Sequence, residues 1–475
     1  MTHPKPTHPG PDATQNPPHD QAQGPHTGRP ALDHTEAPPN APASPTPHAR
    51  AERVPPGTDL PQAAPPAHSG RGLDSAPRAA RVRVPRGVGF GLVVGVLLLF
   101  QAAASAPTPL YVIYQRAWGF SPATITLVFA IFAVTLLAAL LVGGSLSDHL
   151  GRRPVLAAAI ALEAGAVLLF LTAHAVPALL AARAVQGAAT GLALPALGAA
   201  LVDLAPHRAA TVNGVAPIAG LALGSLACGA LAQYGPDPTH LVWTLLLAAL
   251  ALALAAVAVL PDAAARRPGA LRSLVPHLAV PRRLRRDVTA LLPVIIASWA
   301  LGGLYLSLGP SAARAVFGLH DHFAGGLVAT LLCGTGAATA YALRRRPDAA
   351  RTCVALLAAG TAVTLAGTPT AAIPVAVAGT LIAGIGYGAC GLATFGALAA
   401  LAGPAHPDER GGLFAVAYTV AYLAFSLPAV AAGYAAAHAG LRPTVSGYAV
   451  AVILLAGAAA VLARARRTPR PRSRS

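Results

Sequence analysis

The sequence predicts an all-α polytopic membrane protein with twelve transmembrane helices. The composition is 55% hydrophobic and only 11% charged, whereas a soluble protein carries roughly 25% charged residues. Apolar stretches long enough to cross a hydrocarbon core of about 30 Å recur along the chain. Arginines lie in the loops between these stretches, so the formal charge of +17 does not indicate a soluble nucleic-acid-binding face.

Residues 1–85 predict a disordered, Pro/His-rich cytoplasmic tail. This stretch contains no Phe, Tyr, Trp or Ile, so it cannot bury enough apolar surface to offset the chain entropy lost on folding. Its histidines follow no ligand spacing, and no metal site is predicted. The first apolar run begins near Val88, which favours an uncleaved membrane anchor over a cleaved signal peptide.

A window of about 20 apolar residues, moved along the chain, predicts twelve spans separated by polar or Gly/Pro-marked linkers. In order they are residues 88–113, 122–143, 154–173, 176–204, 211–233, 241–260, 289–309, 324–343, 352–368, 372–401, 412–436 and 444–463. The Arg-rich cytoplasmic linker 261–288 has no long apolar run. It separates an N-terminal six-helix half, 86–260, from a C-terminal six-helix half, 289–464, which a basic cytoplasmic tail follows at 465–475.

Arginine placement predicts that both termini are cytoplasmic. In that orientation the arginines of the linker, of the loop after span 2 and of the C-terminal tail all fall inside, as the positive-inside rule requires. The arginines that fall outside are Arg116, Arg314 and Arg442. The predicted location is therefore the inner (plasma) membrane of the cell, with multiple passes through the lipid bilayer.

The two halves resemble one another in sequence. Counted from residues 86 and 289, Pro107 and Pro310 fall at the same offset near the outer ends of spans 1 and 7. The tripeptide Gly-Leu-Ala recurs at Gly191 in span 4 and at Gly391 in span 10. These matches predict two six-helix repeats related by an axis along the membrane normal, with a binding site between them.

A short polar hairpin joins spans 2 and 3, with the sequence Gly144-Ser-Leu-Ser-Asp-His-Leu-Gly-Arg-Arg-Pro154. It resembles the signature loop of the major facilitator superfamily, Gly-x-x-x-Asp-Arg-x-Gly-Arg-Arg, with His149 where the family usually has arginine. The resemblance implies a twelve-helix transporter whose loop carboxylate meets the N-terminal end of span 11. The gating residues so assigned are Gly144, Asp148, Gly151, Arg152, Arg153 and Arg410.

Two ionisable residues lie clearly inside spans, Glu163 in span 3 and Arg183 in span 4. Charged groups at membrane depth are costly, which makes both candidate functional residues. The run Arg183-Ala-Val-Gln186-Gly resembles a second facilitator motif, connected with proton transfer in proton-coupled members. Glu163 and Arg183 are predicted to couple transport to protons. A static ion pair between them, or a purely structural arginine, is the alternative.

Glycines recur in span 5, at Gly220, Gly224 and Gly229. Small residues at four-residue spacing allow helices to approach closely, so these glycines are predicted to serve helix packing. The pattern is similar to one that marks drug/proton antiporters. Ser225 and Cys228 stand where that pattern has a proline and a glycine.

Polar and aromatic residues on spans 1, 4, 7, 10 and 11 predict a substrate cavity. Prolines and glycines in spans 1 and 7 can bend these helices and free backbone groups, which is tolerated where the backbone faces a cavity. Aromatic residues at helical spacing can also reflect simple packing, and this alternative stays open. The predicted cavity residues are Gln101, Ser105, Tyr111, Gln186, Trp299, Tyr305, Tyr387, Tyr418 and Tyr422.

The predicted function is proton-coupled efflux of a small organic compound, a drug or a metabolite, by alternating access. The alternative within transport is proton-coupled uptake of a sugar or an organic anion, with Arg183 binding the anionic group. A polytopic membrane enzyme or a receptor is less favoured, since no loop carries the cluster of reactive side chains expected of an active site. No cofactor is expected beyond a proton gradient. The protein is predicted to be a monomer that binds substrate and protons but no nucleic acid.

Overall fold

The computed structural model describes residues 85–260, 280–345, 352–402 and 407–465. The predicted N-terminal tail, most of the linker, most of the C-terminal tail and the side chain of Arg410 lie outside the described residues. The helices are α1 (Arg86–Ser105), α2 (Pro107–Trp118), α3 (Pro122–Gly143), α4 (Leu146–Leu150), α5 (Arg152–Leu171), α6 (Val176–Leu204), α7 (Pro206–Tyr234), α8 (Pro238–Val259), α9 (Arg285–Ser307), α10 (Gly309–Phe317), α11 (His322–Leu343), α12 (Cys353–Ala366), α13 (Ile373–Ala402), α14 (Pro407–Ala439) and α15 (Leu441–Ala465).

Eleven helical spans in the described residues are long and apolar enough to cross a membrane, with α1 and α2 forming one of them. The predicted span 9 corresponds to α12, which has 14 residues and covers only about 21 Å at 1.5 Å per residue. The predicted bounds 352–368 agree with this helix to within two residues, since α12 begins at Cys353 and ends at Ala366. The chain then passes through a turn in which Ala371 has a positive φ of 52°.

Spans 1 and 7 are each interrupted at a proline. Pro107 is the first residue of α2, and Pro310 lies in the first turn of α10. Proline has no amide hydrogen to donate, and its fixed φ suits the first turn of a new helix. The helical chain therefore continues beyond each break, to Trp118 and Phe317. The predicted ends of both spans are too early.

The hairpin between α3 and α5 contains the short helix α4, where the sequence analysis expected only a loop. Asp148 lies within α4. Gly151 ends α4 with φ 99° and ψ 156°, a conformation that is essentially restricted to glycine. Because α5 begins at the next residue, Arg152, Gly151 permits the sharp turn that returns the chain to the membrane.

The glycines of α7 lie against the helix before the first break. Gly220 faces Leu98 of α1, and Gly224 faces Ala102. A Cβ atom at Gly224 would overlap the backbone of Ala102. The absence of side chains at these two positions therefore sets the distance between α1 and α7.

The two halves meet through two helix pairs, α7 with α11 and α3 with α14. The His322 amide at the start of α11 donates to Gln233 Oε1 near the end of α7, at 2.9 Å. In the second pair Thr126 leaves no room for a Cβ atom at Gly433. Both contacts lie at the ends of the helices that are remote from the Asp148 hairpin. We call this end the opposite face.

We predict that Gly224→Ala destabilises the protein, because the added methyl group must push α7 away from α1. Overpacking of this kind costs about 1–3 kcal/mol in the free energy of unfolding. Gly214→Ala is the matched control on the same helix, since nothing lies within 4 Å of a Cβ atom there. Thermal unfolding of the two purified variants in one detergent is the measurement, and equal melting temperatures would contradict the packing assignment.

Candidate functional site

Three buried polar side chains form a hydrogen-bonded network between α5 and α6. Glu163, Arg183 and Gln186 are 0%, 1% and 0% exposed. Arg183 Nη1 donates to Gln186 Oε1 at 2.6 Å, and Gln186 Nε2 donates to Glu163 Oε1 at 2.9 Å. The Gln186 amide therefore connects the cation to the carboxyl group. We call these three residues the polar network.

The polar network also reaches the break in span 1. Because Pro107 has no amide hydrogen, the carbonyl four residues earlier, at Ala103, lacks a helical donor. Gln186 Nε2 donates to this oxygen at 3.1 Å, and Arg183 Nη1 donates to Ala104 O at 3.0 Å. An unpaired carbonyl would be costly in an apolar interior. The polar side chains of α6 thus supply hydrogen-bond donors to the backbone at the break in span 1.

Within the described part of the chain, Glu163 and Arg183 form no direct ion pair. This corrects the static pair that the sequence analysis considered. Arg183 and Gln186 lie three residues apart and share one face of α6, and an amide can accept from the arginine while it donates to the carboxyl group. Gln186, a predicted cavity residue, therefore lies between the two ionisable side chains. The Arg-x-x-Gln spacing was the available signal for its bridging position.

The surroundings of the polar network are aromatic. The Arg183 guanidinium lies 4.2 Å from the ring centre of Phe132 and 5.4 Å from that of Phe129, where the negative ring faces attract it. Glu163 Oε2 and the Tyr111 hydroxyl have no hydrogen-bond partner. Burial favours the neutral form of a carboxyl group, whereas a nearby cation favours the ionised form. Glu163 is therefore chemically suited to exchange a proton.

Aromatic side chains continue from this point into the C-terminal half. The ring centres of Phe129 and Phe425 are 5.1 Å apart, and those of Phe425 and Trp299 are 6.1 Å apart. Trp299 contacts Tyr422 at 4.9 Å, and Tyr422 lies 6.4 Å from Tyr418. Phe129 and Phe132 of span 2 are not among the predicted cavity residues. We call the whole set the aromatic chain: Phe132, Phe129, Phe425, Trp299, Tyr422 and Tyr418.

Three of the predicted cavity residues contact neighbouring helices of their own half. Ser105 Oγ donates to Leu221 O of α7 at 2.8 Å, and Gln101 lies against Gly220 of the same helix. The Tyr305 hydroxyl is 3.0 Å from Thr380 Oγ1 inside the C-terminal half. These contacts hold helices together, and the assignment of Gln101, Ser105 and Tyr305 to a substrate cavity stays a prediction.

Tyr387 lies next to the glycine pair of α9. Its ring and hydroxyl occupy the space beside Gly302, and it packs against the same apolar cluster as Trp299. Gly303 next to it faces the backbone of Phe425. The two glycines thus allow α9 to approach both Tyr387 and the aromatic chain.

The hairpin residues form an ionic cluster within the N-terminal half. Asp148 pairs with Arg152, and Arg152 Nε donates to Asp203 Oδ2 at the end of α6, at 3.3 Å. Arg153 is exposed. The predicted contact of Asp148 with the start of span 11 and Arg410 lies outside the described side chains and stays a prediction.

Comparisons with known proteins agree on the fold. The family profile described as Major Facilitator Superfamily matches residues 93–427. The crystal structure of the human organic anion transporter MFSD10 (TETRAN) is similar, with a TM-score of 0.57 and 19% sequence identity over 80% of this chain and 100% of that chain. A search of curated protein sequences finds no match. The predicted all-α polytopic membrane fold is confirmed.

We predict that Gln186→Leu destabilises the protein, because it removes the donor to Ala103 O and the acceptor for Arg183. A buried polar group left unpaired costs about 1–3 kcal/mol. Thr190→Val is the control, since the Thr190 hydroxyl donates only to the carbonyl of Gln186 within α6, at 2.9 Å. Melting temperatures of the two variants should differ by several degrees. Equal stability would show that the bridge contributes nothing measurable.

Proposed function

The chain belongs to the major facilitator superfamily, and from this premise we propose that it exports a small, partly apolar organic compound in exchange for protons. Membership makes the protein a multi-pass membrane transporter of small molecules rather than an enzyme. The proton-coupling proposal rests on the buried Glu163 carboxyl group. The side-chain amide of Gln186 donates both to this group and to Ala103 O at the break in span 1. We further propose a monomer in the plasma membrane with both termini cytoplasmic.

Glu163 is the proposed proton carrier. As a carboxylate it accepts from Gln186 Nε2, at the 2.9 Å separation described above, whereas as a neutral acid it can also donate through its own hydroxyl. Gln186 Nε2 simultaneously donates to Ala103 O. A change in the charge of Glu163 therefore changes how strongly Gln186 holds the broken helix, and this links protonation to the position of span 1.

The aromatic chain favours an apolar or aromatic substrate. Its six rings run from Arg183 across the boundary between the halves. Rings contribute large apolar area together with defined stacking geometry. Within the part of the chain that the structure describes, no carboxylate lies among the rings, and the Arg183 guanidinium is the charge that contacts them. The glycine pattern of span 5, which resembles that of drug/proton antiporters, supports export.

The contacts between the halves suggest how access alternates. In this conformation α7 with α11 and α3 with α14 close the opposite face. Asp148 is engaged with Arg152 on its own half. We propose that, when the substrate site opens to the opposite face, Asp148 turns to the N-terminal end of span 11 near Arg410. A carboxylate at a helix N-terminus contributes roughly 0.3–1 kcal/mol when exposed and up to about 2 kcal/mol when partly buried.

A second candidate is the uptake of an organic anion. Arg183 is a buried cation whose Nε has no hydrogen-bond partner, and it makes no direct ion pair with Glu163. A carboxylate or sulfonate group on an aromatic substrate could pair with it at the end of the aromatic chain. The similar structure named above is described as an organic anion transporter, which supports testing anions first among alternative substrates.

We predict that Glu163→Gln abolishes accumulation driven by a pH gradient, because the amide cannot carry a proton, while counterflow exchange of substrate persists. The amide oxygen still accepts from Gln186, so the fold should be retained. The measurement is flux in proteoliposomes, with and without an imposed gradient, for a panel of aromatic neutral, cationic and anionic compounds.

Asp237→Asn is the matched control for this experiment. Asp237 lies between α7 and α8 at the opposite face, and the hydrogen bond from His240 holds the pKa of Asp237 below its usual range. It therefore stays ionised throughout the experiment, and its replacement should leave coupling unchanged. A well-folded Glu163→Gln protein with the full pH-gradient response would exclude Glu163 as the carrier.

We predict that Trp299→Leu weakens substrate binding, because it removes the ring that contacts both Tyr422 and Phe425. The loss of stacking is about 0.5–1.5 kcal/mol, which corresponds to a roughly two- to tenfold higher half-saturating concentration. Tyr434→Leu is the control, since Tyr434 is 65% exposed on α14. Unchanged half-saturation in Trp299→Leu would assign the aromatic chain to packing alone.

A further inference from the structure

A cavity of about 120 Å³ lies inside the C-terminal half, separate from the aromatic chain. It is bounded by α9, α10, α11, α12, α13 and α15, and its walls are almost entirely apolar. Leu319 and Ile373, at the opposite face, form part of the wall, and Ile373 is 39% exposed. The mouth of the cavity therefore lies at the opposite face.

The short helix α12 is one cause of this cavity. Its counterpart in the N-terminal half, α5, has 20 residues, whereas α12 has 14. The missing turns amount to about 9 Å of helix at 1.5 Å per residue. They are missing at the end of α12 that lies toward the opposite face, where Thr368 lines the cavity.

The N-terminal half fills the corresponding place with two stacked rings. Phe170, at the end of α5, lies parallel to Trp243 of α8, with ring centres 4.4 Å apart and 6° between planes. Trp243 is 0% exposed, and its Nε1 donates to the Tyr114 hydroxyl at 2.9 Å. In this half, one indole and one phenyl ring therefore occupy the space between the helices.

Among the described residues, the wall of the cavity contains the rings of Tyr305 and Phe317 but no stacked pair like that of Phe170 and Trp243. Trp243 lies five residues after Pro238, and Tyr448 lies five residues after Pro443 in α15. Tyr448 points away, however, and its hydroxyl donates to Ala300 O of α9 at 2.8 Å. Val445 and Ala449 face the cavity instead.

The hydroxyl groups of Thr361, Thr364 and Tyr305 in the cavity wall all take part in hydrogen bonds within the protein. Thr361 Oγ1 donates to Leu357 O at 2.7 Å, and Thr364 Oγ1 donates to Gly360 O at 3.0 Å. The Tyr305 hydroxyl is engaged with Thr380. These hydroxyl groups are engaged within the protein and the rest of the wall is almost entirely apolar, so the cavity favours an apolar ligand.

We propose that this cavity is a binding site for a single-ring aromatic hydrocarbon, which enters from the opposite face. It takes the place that the Phe170–Trp243 ring pair fills in the other half. The size agrees, because a cavity of roughly 150 Å³ lined by aliphatic and aromatic side chains binds benzene. This site is distinct from the substrate site of the proposed function, and its test measures binding without any transport.

The test uses photolabelling of the full-length protein in lipid nanodiscs with 3-trifluoromethyl-3-phenyldiazirine, followed by peptide mass spectrometry. We expect label on residues of the cavity wall such as Ala376, and we expect excess toluene, present during irradiation, to prevent it. Toluene should not prevent labelling of lipid-facing positions. Absence of toluene-sensitive label on the cavity wall would overturn the proposal.

Val445→Trp supplies an indole from α15 and should abolish the toluene-sensitive label. Val450→Trp is the matched control, since Val450 is 44% exposed on the same helix, and it should retain the label. If Val445→Trp fails to fold, Ala449→Phe fills the cavity from the next turn. Label that survives in a folded, filled variant, or that is removed by dodecane and not by toluene, would contradict an aromatic-ring site.

Discussion

Every backbone carbonyl inside a membrane needs a hydrogen-bond donor, because no water is present to supply one. Pro107 removes the donor for Ala103 O, and the N-terminal half is arranged around the replacement. Gln186 supplies it, and Arg183 serves the adjacent carbonyl. Gln186 also donates to Glu163 Oε1 and accepts from Arg183. One proline therefore accounts for a broken helix, two buried polar residues and the position of a third.

Both halves have a helix interrupted at a proline, but the side chains around the two breaks differ. At the position that matches Arg183, the C-terminal half has Ala383, whose backbone leaves no room for a side chain at Gly360 of α12. There α12 and α13 approach closely and carry threonine hydroxyls that mostly bond within their own helices. Among the described residues, the buried charged pair Glu163 and Arg183 belongs to the N-terminal half. The larger rings of the aromatic chain lie mainly in the C-terminal half. The proposed substrate site is therefore asymmetric, although the two halves share one scaffold.

Much of the fold was predictable from the sequence, and the reasons for the exceptions are local. Apolar length identified the spans, because a bilayer requires it regardless of detail. It also located span 9, for which the structure has Cys353–Ala366 and the prediction has 352–368. The pair Glu163 and Arg183 was predictable from the cost of burying charge. The bridging position of Gln186 and the turn of Tyr305 into its own half were not, since both depend on how helices rotate against one another. Phe129 and Phe132 were missed because an aromatic ring in an apolar span carries no pattern that separates a site from packing.

The sharing of one amide explains how a proton and a substrate can affect each other under the proposed mechanism. Gln186 Nε2 has two donor hydrogens and serves Glu163 and Ala103 O, so both are committed. When Glu163 becomes neutral, the charge-assisted bond weakens from about 1.5–3 kcal/mol to about 1 kcal/mol. This difference of about 0.5–2 kcal/mol overlaps the range of about 1–3 kcal/mol that is typical of coupling between two sites. Because Arg183 accompanies Gln186 on α6 and faces Phe132, the same change reaches the end of the aromatic chain. Under this proposal, coupling therefore needs no charge in the substrate itself, only a substrate whose binding depends on where these rings lie.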